Sequence, residues 1–270
     1  MQEQADRRLI LEKEMRHAIE RGEFVLFYQP QVDRLGEVIS AEALIRWRHP
    51  EKGMISPAEF IPVAEETQLI LLVGQWVLKE ACRQIKCWDE QGKVLDHVAV
   101  NVSSRQFRQT DFVEQVEKAL ADAGVSAKRL MIELTEGCVI ENIEDTIEKM
   151  RALKNMGIEI SIDDFGTGYS SLSYLKQLPL SQLKIDQSFV RDIVSDLNDA
   201  VIVETIINMA KNMGLNVIAE GVETQAQMDF LQDKGCRNFQ GYFFSPPVAA
   251  DRLMIQSHRR LVAASLQDEP

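Results

Sequence analysis

Glu42, Asn101, Glu133, Asp163, Asp164, Lys184, Asp186, Glu220, Glu223 and Gln240 are the side chains in this sequence best suited to do chemistry together. Each stands on or beside a segment with strand character. A single acid at a strand end serves to cap the next helix or to face its positive end. A whole set at equivalent places asks for another explanation, because gathered anions repel one another unless cations compensate them. One lysine cannot neutralise them, whereas two divalent ions can. Histidine is scarce and scattered (His17, His49, His97, His258), which argues against a histidine-rich zinc site, and an oxygen-bound hard ion, Mg²⁺ or Mn²⁺, is expected. Two such ions about 3.5–4 Å apart suit in-line attack on a phosphodiester. One carboxylate bridges the ions, a water between them is activated, and a lysine steadies the developing charge. That reading reaches phosphoryl hydrolysis and leaves the substrate open.

The elements that must position these groups follow from periodicity. Glu3 to Arg21 has helical spacing, with Leu9, Ile10, Leu11, Met15, Ala18 and Ile19 as its apolar stripe and Gly22 as its end. Phe24 to Gln29 reads as a strand stopped by Pro30, and Val38 to Ile45 as a second. The link between them is too short for a crossover helix, so these two strands are expected to be antiparallel.

After a helical zone from Pro57 to about Gln91, strands at His97–Val102, Leu130–Leu134, Ile158–Asp163, Gln182–Asp186, Asn216–Glu220 and Asn238–Tyr242 are each fed by a helix. The intervening helices are placed near Asp111–Ala123, Ile143–Met156, Ser170–Gln177, Asp199–Met213 and Thr224–Lys234, and a last helix from about Ala249. Eight units of this rhythm predict an α/β chain folded as a (β/α)8 TIM-like barrel, its first strand antiparallel to the rest. Such barrels carry their chemistry at the C-terminal strand ends, which is where the acids lie. Lys184 and Asp186 share one strand face. Asp163 and Asp164 are adjacent and would diverge in a regular strand, so the backbone must turn there, with glycines to help in Phe165-Gly166-Thr167-Gly168.

Composition bounds the alternatives. A net charge of -12 argues against general binding to DNA or RNA backbones, though metal ions can recruit a small anion locally. Cys82, Cys87, Cys138 and Cys236 have no CxxC spacing and read as reduced thiols of a cytoplasmic protein. No apolar run approaches the roughly 18 residues of a membrane span, and no targeting segment is evident. Three segments are expected: 1–22, an N-terminal helix that can continue from an upstream domain; 23–258, the barrel; and 259–270, a tail.

The motifs Glu42-Ala43-Leu44, Asn101-Val102-Ser103, Glu133-Leu134-Thr135-Glu136, Asp163-Asp164-Phe165-Gly166-Thr167-Gly168, Leu183-Lys184-Ile185-Asp186, Glu220-Gly221-Val222-Glu223 and Gln240-Gly241-Tyr242 occur in this order. Together, across roughly Phe24 to Pro247, they resemble the EAL family of cyclic di-GMP phosphodiesterases. The resemblance implies hydrolysis of cyclic di-GMP to linear pGpG with two Mg²⁺ or Mn²⁺ ions per site, Ca²⁺ acting as an inhibitory substitute.

Under that likeness Glu42, Asn101, Glu133 and Asp163 hold one metal, Asp163 bridges, and Asp164 helps to hold the second. Glu220 orients or deprotonates the attacking water, directly or through the second metal, and Lys184 contacts that water. Gln240 hydrogen-bonds near it, while Gln29 and Arg46 match positions that contact a guanine and a phosphate. Asp186 and Glu223 support the site, with Asp186 close enough to count among the substrate contacts. Glu136 anchors the loop from Asp164 to Ser171, which includes Thr167 and which in the family couples dimerisation to metal binding. A homodimer and an upstream sensory or GGDEF domain are implied partners. Phe244-Ser245-Pro246-Pro247 departs from the pattern, since a polar residue is expected before the last proline.

Two competing readings stay open: a catalytically silent cyclic di-GMP receptor, disfavoured by the completeness of the ligand set, and a different two-metal barrel hydrolase. Elsewhere Trp76 and Trp88 read as packing residues, Trp47 as packing or a base platform, His49 as a loop residue, and Glu12 to Arg16 as a solvated helix face.

Overall fold

The computed structural model describes residues 2–140, 143–166 and 175–255. Its strands are β1 (Phe24–Asp33), β2 (Val38–His49), β3 (Gly53–Ile55), β4 (Val98–Asn101), β5 (Leu130–Thr135), β6 (Glu159–Phe165), β7 (Gln182–Ile185), β8 (Asn216–Ala219), β9 (Asn238–Phe239) and β10 (Val248–Ala249). β2, β4, β5, β6, β7, β8 and β9 pair in parallel in that order. β1 closes the ring, antiparallel to both β2 and β9. The result is the expected TIM-like barrel with its first strand reversed. The reversal starts at a tight link: Asp33 Oδ1 accepts hydrogen bonds from the backbone N–H groups of Leu35 (2.8 Å) and Glu37 (3.0 Å), and Gly36 supplies a left-handed φ of 79°. β3 and β10 are short antiparallel additions to β2 and β1.

The helices are α1 (Gln2–Arg21), α2 (Pro57–Glu66), α3 (Ile70–Glu90), α4 (Ser104–Phe107), α5 (Phe112–Ala123), α6 (Glu136–Ile140), α7 (Ile143–Met156), α8 (Gln187–Arg191), α9 (Leu197–Asn212) and α10 (Gln225–Asp233). The expected zone from Pro57 to Gln91 is two helices, because Gln68 adopts a left-handed φ of 64° between them. On α1 the buried stripe is Leu11, Met15 and Ala18, while Leu9 and Ile10 face solvent despite their apolar character. At Ala249, where a last helix is expected to begin, the chain instead pairs as β10, since Pro246 and Pro247 hold it extended and Val248 pairs with Tyr28; residues 256–270 lie outside the described residues. The expected helix at Ser170–Gln177 falls largely outside the described residues.

The barrel interior is polar in places where a two-residue period puts it. Gln29 and Gln31 on β1, Ser40 and Glu42 on β2, Glu133 on β5, Ser161 on β6, and Gln182 and Lys184 on β7 are all buried. The alternate positions Tyr28, Ala41, Ala43, Ile132, Leu134, Ile160, Ile162, Leu183 and Ile185 are buried too, packing outward into the layer beneath the helices. At about 25 cal/mol per Å² this apolar shell supplies the main stabilisation. The buried polar rows inside must then satisfy one another. Among the described residues no helix is long and apolar enough to cross a membrane.

Candidate metal centre

The C-terminal strand ends bring most of the singled-out groups to one place. Glu42 stands within β2 opposite Gln29 of β1, and Asn101 ends β4 in register with Glu133 of β5. Glu220 and Gln240 follow β8 and β9 directly. Gly241 lets these two ends close up, because a Cβ there would meet the backbone oxygen of Val222 at 2.0 Å. Asn101 Nδ2 donates to Glu42 Oε1 at 2.6 Å.

Lys184, 1% exposed, rises from β7 into the middle of the group. Its Nζ lies 2.7 Å from Glu220 Oε1, 2.9 Å from Glu133 Oε2, 3.1 Å from Asp163 Oδ1 and 3.4 Å from Glu42 Oε2.

The chain turns at Asp163-Asp164 as adjacency required. The β6–β7 register shifts between Ile162 and Phe165, and Asp164 takes a left-handed φ of 54°. The two neighbouring carboxylates therefore reach one site. Among the described residues two carboxylate groups result, Glu42 with Glu133 and Asp163, and Asp163 with Asp164 and Glu220. In each, one oxygen per residue lies within 4.8 Å of the others. Asp163 is common to both.

The electrostatics show a site short of positive charge. Burial, reinforced by Glu42, Asp163 and Glu220, holds the Glu133 carboxyl well above its usual range, with Lys184 only partly opposing. Burial likewise pushes Glu220 up to about 8, and burial with the Asp163 charge pushes Asp164 up to about 6. Burial alone would lower Lys184, yet the carboxylates of Glu133, Glu220, Glu42 and Asp163 hold it well above an ordinary lysine. Glu42 is also opposed by burial, but Lys184 and hydrogen bonds from Gln240 and Asn101 keep it low. Glu133 Oε1 is buried without a hydrogen-bond partner. An all-oxygen donor set with an orphaned acceptor and excess negative charge fits hard divalent cations.

The remaining residues divide clearly. Gln240 Nε2 donates to Glu42 Oε2 (2.6 Å) and to Gln29 Oε1 (3.1 Å), so both glutamines belong to the cluster. Glu136 is buried and its Oε2 accepts from the N–H of Gly166 at 3.3 Å, tying down the start of the loop that follows β6. Asp186 is the N-cap of α8: its Oδ1 accepts from Ser188 N–H at 2.9 Å and from the Ser188 hydroxyl. It also shares a hydrogen bond with Asp164.

Arg46 is half-buried, with its guanidinium 5.9 Å over the Phe27 ring. Glu223 is exposed and is not among the converging carboxylates; its N–H donates to Gln227 Oε1 at 2.8 Å. Thr167 lies outside the described residues.

A cavity of about 300 Å³ shares Arg46, Asn101 and Glu133 as walls beside apolar Leu44, Ile61 and Val73. Trp47 is packing only: fully buried against Phe24 and Phe60, it donates from Nε1 to Glu23 Oε2 at 3.0 Å. His49 ends β2 instead of lying in a loop, and its Nδ1 accepts from the N–H groups of Glu51 and Lys52, each at 3.1 Å.

Sequence reasoning passed over two interior groups, Gln31 and Ser40. Ser40 Oγ donates to Gln31 Oε1 at 2.7 Å, and Gln31 Nε2 donates to Gln240 Oε1 at 3.0 Å. The signal for Gln31 was its two-residue offset from Gln29.

Comparison with known proteins agrees with this geometry. The EAL domain family matches residues 12–247. The chain is 43% identical over 255 residues to the bifunctional diguanylate cyclase/cyclic di-GMP phosphodiesterase MucR of Pseudomonas aeruginosa, covering 94% of this chain and 37% of MucR. It is 42% identical to the cyclic di-GMP phosphodiesterase NbdA of the same organism, covering 90% of this chain and 31% of NbdA. The chain thus spans about a third of the length of these curated relatives. The solved structure of the MucR phosphodiesterase in complex with c-di-GMP superposes with a TM-score of 0.87 over 90% of this chain and 99% of that one. With the family match spanning most of its length, and the same barrel in a solved structure 43% identical to it, the chain belongs to the EAL domain family.

Proposed function

We propose that this chain hydrolyses cyclic di-GMP to linear 5'-pGpG with two bound divalent cations, Mg²⁺ or Mn²⁺. One observation carries the reading: two carboxylate groups share Asp163 and surround a single buried ammonium. Glu42, Glu133 and Asp163, with Asn101 completing the set, would hold one cation; Asp163, Asp164 and Glu220 would hold the other. When bound, the pair would polarise phosphoryl oxygens and ease ionisation of a water.

The chain's own groups do the rest. Glu220, beside Asp163 and Asp164 at the rim, orients the attacking water and accepts its proton as a carboxylate. Lys184 offsets negative charge that grows on the phosphate in the transition state. Gln29 and Arg46 flank Glu42 on β1 and β2 and are placed to position a guanine and a phosphate. The relatives named as cyclic di-GMP phosphodiesterases, and the MucR complex with c-di-GMP, supply the choice of substrate.

The test is turnover of cyclic di-GMP with Mg²⁺ or Mn²⁺, following pGpG, with Ca²⁺ as the inhibitory control. Release of pGpG that stops on chelation supports the proposal. Saturable binding with no pGpG under either metal would overturn it and leave a receptor. Equal cleavage of unrelated phosphodiesters would replace the substrate assignment.

A further inference from the structure

Inside the barrel, a row of hydrogen bonds leads from Ser40 to the candidate centre. The Ser40 hydroxyl donates to Gln31 Oε1 (2.7 Å), Gln31 Nε2 donates to Gln240 Oε1 (3.0 Å), and Gln240 Nε2 donates to Glu42 Oε2 (2.6 Å). All four residues are buried, Ser40 and Gln31 to 1% exposure, Gln240 to 4% and Glu42 to 5%. Ser40 and Gln31 also line a cavity of about 330 Å³ that includes Gln182, Asn216 and Asn238, the first residues of β7, β8 and β9. The row therefore spans the interior from the N-terminal mouth to the acidic rim.

Every donor in the row points toward Glu42. That polarity matters at Gln240, whose amide has two possible orientations. As found, its NH₂ faces the Glu42 carboxylate and Gln29 Oε1, and its oxygen faces the Gln31 NH₂. Turned over, its oxygen would face two acceptors and its NH₂ another NH₂. Aligned donors polarise one another, so the last bond, to a charged acceptor, gains from those behind it.

We infer that Gln31 is a positioning residue, which acts through Gln240 to fix Glu42 in the orientation that holds a divalent cation. The inference rests on the proposed metal site and deepens it. Gln31 bonds to Ser40 and Gln240 and reaches Glu42 through the latter. Partners of metal ligands typically contribute about 10–100-fold in metal affinity.

The test uses Gln31→Met, which keeps length and volume but can neither donate nor accept strongly. Mn²⁺ binding to the chelator-stripped protein is titrated by electron paramagnetic resonance, alongside thermal unfolding in EDTA and steady-state kinetics. Expected are Mn²⁺ affinity weakened about tenfold and kcat lowered by about the same factor. KM for cyclic di-GMP should stay within about twofold. The metal-free protein should remain cooperatively folded.

A folded Gln31→Met protein with wild-type Mn²⁺ affinity would overturn the inference. Should Gln31→Met fail to fold, Ser40→Ala carries the test, with Mn²⁺ affinity expected to fall about threefold and an unchanged value overturning it. The Mn²⁺ titration needs no substrate. A protein that binds Mn²⁺ but releases no pGpG therefore refutes the proposed reaction without deciding the role of Gln31.

Discussion

Lys184 Nζ sits 2.7 Å from Glu220 Oε1 while also contacting Glu133, Asp163 and Glu42, so one ammonium is the shared counter-ion of four carboxylates. In the metal-free protein this cation is what makes the acidic crown tolerable. Removing one partner of a buried ion pair costs about 3–5 kcal/mol, because the remaining charge is left uncompensated. Lys184→Ala should therefore melt well below the wild type in EDTA. Much of the difference should vanish in Mn²⁺, where divalent charge replaces the ammonium. Cyclic di-GMP binding should persist while kcat falls. Equal melting temperatures in EDTA, or equal rates in the two proteins, would contradict the role given to this side chain.

Glu42 is the acceptor on which Asn101, Gln240 and Lys184 converge. Glu42→Ala removes a proposed cation ligand and leaves the buried Gln240 amide and the exposed Asn101 amide short of an acceptor. Turnover is expected to fall below detection, and Mn²⁺ affinity by at least about tenfold. Isothermal titration with Mn²⁺ and a pGpG assay check both. Full turnover in Glu42→Ala would remove this residue from the metal site.

The legible parts of this molecule were those where geometry left little choice. The residues between Asp33 and Val38 cannot hold a crossover, so β1 had to run against β2. Adjacent Asp163 and Asp164 cannot share a strand face, so a turn was required, and it is present at φ 54°. What stayed hidden depended on neighbours distant in sequence. Gln31 and Ser40 are uncharged and gain meaning only when Gln240 closes the row. Trp47 beside Arg46 looked like a rim residue, yet alternation along β2 sends it into the packing against Phe24 and Phe60. Nothing local marks Gln68 as the break between α2 and α3, because a non-glycine residue takes the left-handed conformation there.

Asp164 combines a backbone demand with a charge demand, and substitutions can separate them. At φ 54° Asn is tolerated almost as well as Asp, whereas a β-branched residue is strained by about 1–2 kcal/mol. Asp164→Asn should melt within a few degrees of wild type but bind Mn²⁺ at one site, where the proposal expects two in the wild type. Asp164→Val should lose both stability and the second ion. Undiminished Mn²⁺ stoichiometry in Asp164→Asn would remove Asp164 from the ligand set.

His97 lies away from the crown, just before β4, and gives the fold a pH dependence of its own. Burial, with the Arg129 charge adding to it, lowers its pKa from 6.5 to about 4, and its Nε2 is buried without a hydrogen-bond partner. Arg129 pairs with Asp89 at 2.9 Å, and Asp96, Lys128 and Glu159 line the same cavity as His97. The folded protein thus keeps this imidazole neutral where the unfolded chain would already be protonated. Between pH 6.5 and about 4 the unfolded state binds the extra proton. The contribution is therefore complete above pH 6.5, declines as the pH falls, and levels off below about 4. Its size is roughly 3–4 kcal/mol, about two and a half pKa units at about 1.4 kcal/mol each. Carboxylates titrate in the same window, so the informative quantity is the difference between two proteins. Urea midpoints of wild type and His97→Gln, measured from pH 7.5 to 4, should converge toward low pH as the wild type loses stability faster. Parallel curves would show that His97 is not held neutral by the fold.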